Sequence, residues 1–166
     1  MESEKCVFIS YAFSNEKNPE TNQVDKVFLQ EYIGRIADLL QEKWVAVWHS
    51  LIPDKDQIIS WLPYDDAIQY CMNTMAELQK KQELTLISIL KYPAKHTLQD
   101  GINPTPSTWM HREFAHAQRL GITKIVAVQE WLQENMLFSD YVDNSDHIFS
   151  FSHIDTLYDE IRKLSL

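Results

Sequence analysis

Trp109 and Glu113 stand four residues apart in the run Ser107-Thr108-Trp109-Met110-His111-Arg112-Glu113-Phe114. Residues at i and i+4 share a helix face, so on a helix the indole lies beside the carboxylate. That pairing excludes water and offers a flat surface on which a base can stack. The plainer reading is a Trp that packs its helix on a sheet and a Glu that makes a surface or capping contact, the usual state of charged residues. The other reactive side chains do not gather. His111 and His116 are separated by about 140° around a helix of 3.6 residues per turn, a poor metal pair, and the six histidines form neither HxxxH nor HExxH. Cys6 and Cys71 lack CxxC spacing and sit in apolar segments, where a buried, reduced thiol is expected, and sequence identifies no base beside Cys71. With three glycines (Gly34, Gly101, Gly121) there is neither a dinucleotide fingerprint nor a P-loop. No metal and no bound redox cofactor is expected.

The elements that must position these groups alternate between short β-branched or aromatic runs and longer stretches whose apolar residues recur every three or four positions. Cys6 to Tyr11 (CVFISY), Trp44 to Trp48 (WVAVW), Leu84 to Leu90 (LTLISIL), Lys124 to Val128 (KIVAV) and Ile148 to Phe151 read as strands. Leu29, Ile33, Ile36 and Leu40 form one helical stripe, with Gly34 inside it at a cost of about 1 kcal/mol. Ile68, Met72 and Met75, with Leu78 at the end, form a second stripe behind Asp65 and Asp66, which suit a helix N-terminus. Ser107 or Thr108 caps a helix that runs to Leu120 and stops at Gly121, and Leu157, Ile161 and Leu164 mark a closing helix. Residues 129 to 146 read as one short helix and a loop. Residues 13 to 23, 51 to 63 and 92 to 106 read as loops; the last holds three of the six prolines, and a loop of that length is usually functional.

Five strands separated by helices imply an α/β fold, a central mainly parallel sheet with helices on both faces and right-handed crossovers. No internal repeat or linker divides residues 1 to 166, so a single domain is expected. Ligands of such sheets bind at the carboxyl ends of the strands. That edge holds Ser10, Tyr11 and Ala12 after the first strand and Trp48 after the second. It also holds whatever follows Leu90, and Trp131 three residues beyond Val128. Each aromatic has an ordinary alternative in packing.

The 166 residues are 45% apolar and carry 15 basic against 24 acidic side chains, a formal charge of −9. That size supports a core able to fold unaided. Scarce glycine and cysteine exclude collagen-like, disulfide-scaffold and low-complexity classes. The acidic balance argues against nucleic acid and anionic membranes as partners. The chain has neither an apolar run of about 18 residues nor a basic start followed by an apolar stretch, so a soluble cytoplasmic protein is expected.

Taken together, VFISYA at residues 7 to 12, the S-x-W-x-x-x-E helix start at 107 to 113 and the order of strands from about residue 6 to 164 resemble the Toll/interleukin-1 receptor (TIR) domain. The resemblance implies a flavodoxin-like fold and an NAD glycohydrolase or cyclase, with NAD as substrate rather than cofactor. Glu113 matches the catalytic glutamate and Trp109 the tryptophan beside it. The end of the first strand (Ser10, Tyr11, Ala12), Trp48 and Trp131 would then line the nucleotide site. One carboxylate suffices for that chemistry. Ordinary glycoside hydrolysis needs a second carboxyl group to protonate the leaving oxygen, whereas cationic nicotinamide leaves neutral. A fixed anion then opposes the charge that builds on the ribose. The small bacterial members of antiphage systems such as Thoeris make a nucleotide signal for a separately encoded effector, which the resemblance extends to this chain along with self-association through TIR contacts.

Two departures stand out: Ala12 and Phe13 where a basic or aromatic residue often follows the Tyr, and Pro53-Asp54 where the loop after the second strand often carries Pro-Gly. The alternatives are a non-enzymatic TIR scaffold and an enzyme similar to nucleoside deoxyribosyltransferases, which also use a Glu on a late helix. The usual acidic, Gly-containing run ahead of that Glu is absent here, where 105 to 109 reads TPSTW.

Overall fold

A computed structural model of the chain describes residues 4–11, 17–18, 23–24, 26–49, 62–91, 108–132 and 138–166. Five strands form the central sheet: β1 (Lys5–Ser10), β2 (Ala46–Trp48), β3 (Glu83–Leu90), β4 (Thr123–Gln129) and β5 (His147–Phe151). All adjacent pairs are parallel and the order is β2-β1-β3-β4-β5, the doubly wound order of flavodoxin-like sheets. Lys17–Asn18 and Gln23–Val24 add a small antiparallel ribbon.

Strand alternation divides the core into two layers. Cys6, Phe8, Leu84, Leu86, Val126 and Val128 point to one face, under α2 (Tyr64–Lys81), α3 (Thr108–Leu120) and the short α4 (Ser139–Asn144). Val7, Ile9, Ile87, Ile89, Ile125 and Ala127 point to the other, under α1 (Lys26–Gln41) and α5 (Ile154–Lys163). The α1 stripe buries Ile33, Ile36 and Leu40, the α2 stripe Ile68, Met72 and Met75, and α5 buries Leu157 and Ile161. Asp65 and Asp66 occupy the first turn of α2, and Lys80 and Lys81 its last, complementing the helix dipole at both ends.

The second strand differs from its sequence reading. Lys43 and Trp44 donate their backbone N–H groups to the carbonyls of Leu40 and Gln41, so these residues complete the turn that ends α1 rather than begin a strand. Trp44 consequently takes a left-handed conformation (φ 63°) and is 89% exposed, and β2 is only three residues long. The segment 129 to 146 holds a 3-10 turn, Glu130–Leu132, as well as α4. Among the described residues no helix is long and apolar enough to cross a membrane.

Candidate functional site

Helix α3 carries Trp109 and Glu113 to the carboxyl end of the sheet, and its placement is fixed at several points. Its C-terminus closes in a Schellman motif, with Ile122 N–H on the Ala117 carbonyl at 3.0 Å, Gly121 N–H on that of Gln118 at 3.2 Å, and Gly121 left-handed (φ 70°). Gln79 on α2 donates to the Leu120 carbonyl at 2.7 Å, and Arg112 meets Asp65 at 3.4 Å across the α2–α3 contact. Met110, Phe114 and Ala117 form the buried stripe of α3.

Glu113 falls on this inward side and is only 3% exposed, the one buried carboxylate among the described residues. Its Oε1 accepts a 2.7 Å hydrogen bond from Ser10 Oγ at the end of β1, and the Trp109 indole also donates to the carboxylate. Burial pushes the carboxyl pKa up to about 8, against the pull of the Ser10 and Trp109 donors, which favour the anion. A carboxyl group of this kind changes charge near neutral pH, as acid, base and ion-stabilising groups of active sites do.

Around it lie groups whose hydrogen-bonding capacity is unspent. Ser88 on β3 pairs in register with Ser10, so both hydroxyls share a face of the sheet. The Ser88 hydroxyl, the Tyr141 hydroxyl on α4 and the Trp48 indole N–H are buried with no hydrogen-bond partner among the described residues. Such groups cost about 1–3 kcal/mol each when left unsatisfied, so three near one sheet edge suit a place where ligand or water supplies the partners. Tyr141 and Cys71 lie close enough to Glu113 for its charge to raise their pKa, adding to the larger effect of burial. The Cys71 thiol is thereby held protonated, which removes it as a nucleophile. His49, following β2, is pushed down to about 4 by burial and stays neutral. Lys91, immediately after β3, is a buried cation 5.4 Å from the Tyr32 ring centroid.

The residues singled out from sequence separate into distinct places. Glu113, Trp109 and Ser10 come together. Tyr11 does not join them: one residue after Ser10, alternation turns it to the opposite face, where it packs in the layer of Tyr32 and Ile33. The end of β1 thus meets Glu113 through its serine rather than its tyrosine. Trp48 shares the Glu113 face but stacks on Phe8 at 4.5 Å, a packing contact that leaves its N–H unpartnered. Trp131 lies in the 3-10 turn directly after β4, and its side chain is outside the described residues, as are Ala12 and the loop at 50 to 61. Tyr141 and Ser88 were missed: Ser88 reads as one polar residue in an apolar strand, and Tyr141 falls in an acidic segment of no clear period. Among the described residues no group of three or more His, Cys, Asp or Glu is placed to hold a metal ion.

A cavity of about 470 Å³ opens elsewhere, at the amino-terminal edge of the sheet, lined by Val7, Thr85, Ile125, Phe149 and Lys163 among others. It contains none of the groups around Glu113.

No family model matches the sequence, and no curated protein matches it. In structure the chain is similar to the CMP N-glycosidase BcmB of Clostridium botulinum, with 14% identity, a TM-score of 0.56, and 95% of this chain and 97% of that one covered. It is also similar to a conserved protein from Enterococcus faecalis V583, with 14% identity, a TM-score of 0.49, and 97% and 99% covered. At such identity the likeness to BcmB is one of fold, an α/β fold around a five-stranded parallel sheet.

Proposed function

We propose that this chain hydrolyses the N-glycosidic bond of a nucleotide or nucleoside, with Glu113 as the anion that meets the ribosyl cation. One observation carries the reading: a buried carboxylate held by Ser10 and Trp109 at the carboxyl edge of a doubly wound parallel sheet, where such folds bind ligands. The fold shared with a CMP N-glycosidase supports the same bond type. As the C1′–N bond breaks, its electron pair leaves with the base and positive charge spreads over C1′ and the ring oxygen. The Glu113 carboxylate opposes that charge in a site from which water is largely excluded. Water then adds to C1′ and loses a proton, giving the free base and the ribosyl product. Ser10, donating to Oε1, fixes the carboxylate's orientation and favours its charged form.

NAD is a second substrate reading. It rests on the Trp109–Glu113 pair at the opening of α3 and on the TIR resemblance, and it asks less of the site because nicotinamide leaves without a proton.

Chromatography of products from CMP, cytidine, nicotinamide mononucleotide and NAD tests both readings. Release of base from any of them, lost in Glu113→Ala, is the expected result. Full activity in Glu113→Ala would remove the site, and inertness of the wild-type protein toward the whole set would remove the reaction. Cleavage of NAD without that of the mononucleotides would favour the second reading.

A further inference from the structure

We infer that Tyr141 is a catalytic residue of the proposed reaction, its hydroxyl donating a hydrogen bond to the departing base; the inference rests on the N-glycosidase reading. Tyr141 is 1% exposed, and its hydroxyl has no partner among the described residues, although a buried tyrosine ordinarily finds one. The ring is fixed from two sides, by Phe114 at 4.7 Å and the edge of His111 at 6.3 Å, so α3 itself sets the position of the hydroxyl. Phe114 adjoins Glu113 in sequence, and Tyr141 is near enough to the carboxylate to feel its charge. The proposed reaction places C1′ between the two groups.

The two sides of that place need opposite things. The sugar side gains positive charge and faces Glu113. The base side receives the electron pair of the broken bond, which in a neutral pyrimidine is delocalised onto the ring carbonyl oxygen. Ser10 and Trp109 are already committed to the carboxylate, whereas the Tyr141 O–H is uncommitted. Burial and the neighbouring acids hold the phenol protonated, so it serves as a hydrogen-bond donor and the base takes its proton from water. A cationic base leaves neutral and has no developing negative charge for Tyr141 to meet.

CMP and nicotinamide mononucleotide share their ribose 5′-phosphate, and of their bases the first leaves with developing negative charge and the second leaves neutral. Steady-state turnover of both is measured for the wild type and Tyr141→Phe, with thermal unfolding of each protein. The expected result is a loss of about 10- to 100-fold in kcat for CMP, less than about threefold for the cationic substrate, and no fall in Tm, since Phe preserves the ring contacts and removes an unpartnered hydroxyl. Equal losses on the two substrates would reveal a structural role and overturn the inference, as would no loss on either or a wild type that takes only the cationic one. A wild type restricted to cytosine ribosides is tested on 5-substituted CMPs: the loss must shrink as the base becomes a better leaving group, and a uniform loss overturns the inference. In all these cases the glycosidase reading stands, whereas a wild type that cleaves neither class removes both.

Discussion

Glu113 works against the stability of its own fold. Its carboxyl pKa rises from an ordinary 4.5 to about 8 because burial penalises the charge. Between those values the folded protein keeps a proton that the unfolded chain has released. The stabilising contribution is therefore complete below about pH 4.5 and is lost as pH rises through about 8. Glu113→Gln removes that dependence. The variant should unfold at a higher temperature than the wild type at pH 9, by roughly a few kcal/mol of stability at most, with the gap closing near pH 5. Scanning calorimetry across this range checks it, and parallel Tm profiles would contradict it. In the reaction the sign reverses, because the anion is the active form: kcat/KM should rise with pH, with a midpoint near 8. Ser10→Ala deletes the 2.7 Å bond that favours the anion, so it should shift that midpoint upward by roughly one pH unit and slow turnover at neutral pH. A pH profile that falls through 8 instead would make Glu113 an acid.

At the scale of elements, two glycines make opposite predictions. Gly34 lies inside α1 with no heavy atom near the place of a Cβ, so Gly34→Ala should stabilise by about 0.5–1 kcal/mol through the unfolded chain and the helix alike. Gly121 is also sterically open, but its φ of 70° is the left-handed turn that ends α3, and Gly121→Ala should cost about 1 kcal/mol. Urea unfolding of both variants is the measurement, and because Gly121 ends the helix that bears Glu113, its variant should also lose some activity. These elements were legible for a plain reason. Ile33, Ile36 and Leu40 pack in one layer, and Ile68, Met72 and Met75 are all buried on α2, so burial wrote the helical period into the sequence. Trp44 misled because a bulky aromatic next to Val45 resembles a strand, whereas the backbone bonds ending α1 decide its conformation. The site was legible only in part. Trp109 and Glu113 lie four apart on one helix, but Ser10 reaches Glu113 across 103 positions, and alternation along β1 decides that it, rather than Tyr11, points there. Tyr141 is brought in by a short helix of six residues, too brief for a period to show.

For the whole molecule, the two-layer core puts the groups of the proposed site on one side of the sheet. Glu113, Ser10 and Tyr141 belong to the layer of α2, α3 and α4, while the other layer is closed by α1 and α5. There Lys43, at the end of α1, donates to the Leu164 carbonyl at 3.0 Å and to that of Arg162. Lys43→Met should consequently destabilise by about 1–2 kcal/mol in urea while leaving kcat nearly unchanged, because the lost charge-assisted bonds lie at the opposite edge of the sheet from Glu113. The net charge of −9 acts on the molecule as a whole and bears on substrate rather than fold. A nucleoside monophosphate approaching an acidic surface is repelled over about 10 Å at ~0.1 M salt, whereas the uncharged nucleoside is not. Raising ionic strength from ~0.02 to ~0.5 M should then increase kcat/KM for CMP about two- to fivefold relative to cytidine. The reverse trend would mean that a local cation outweighs the overall field.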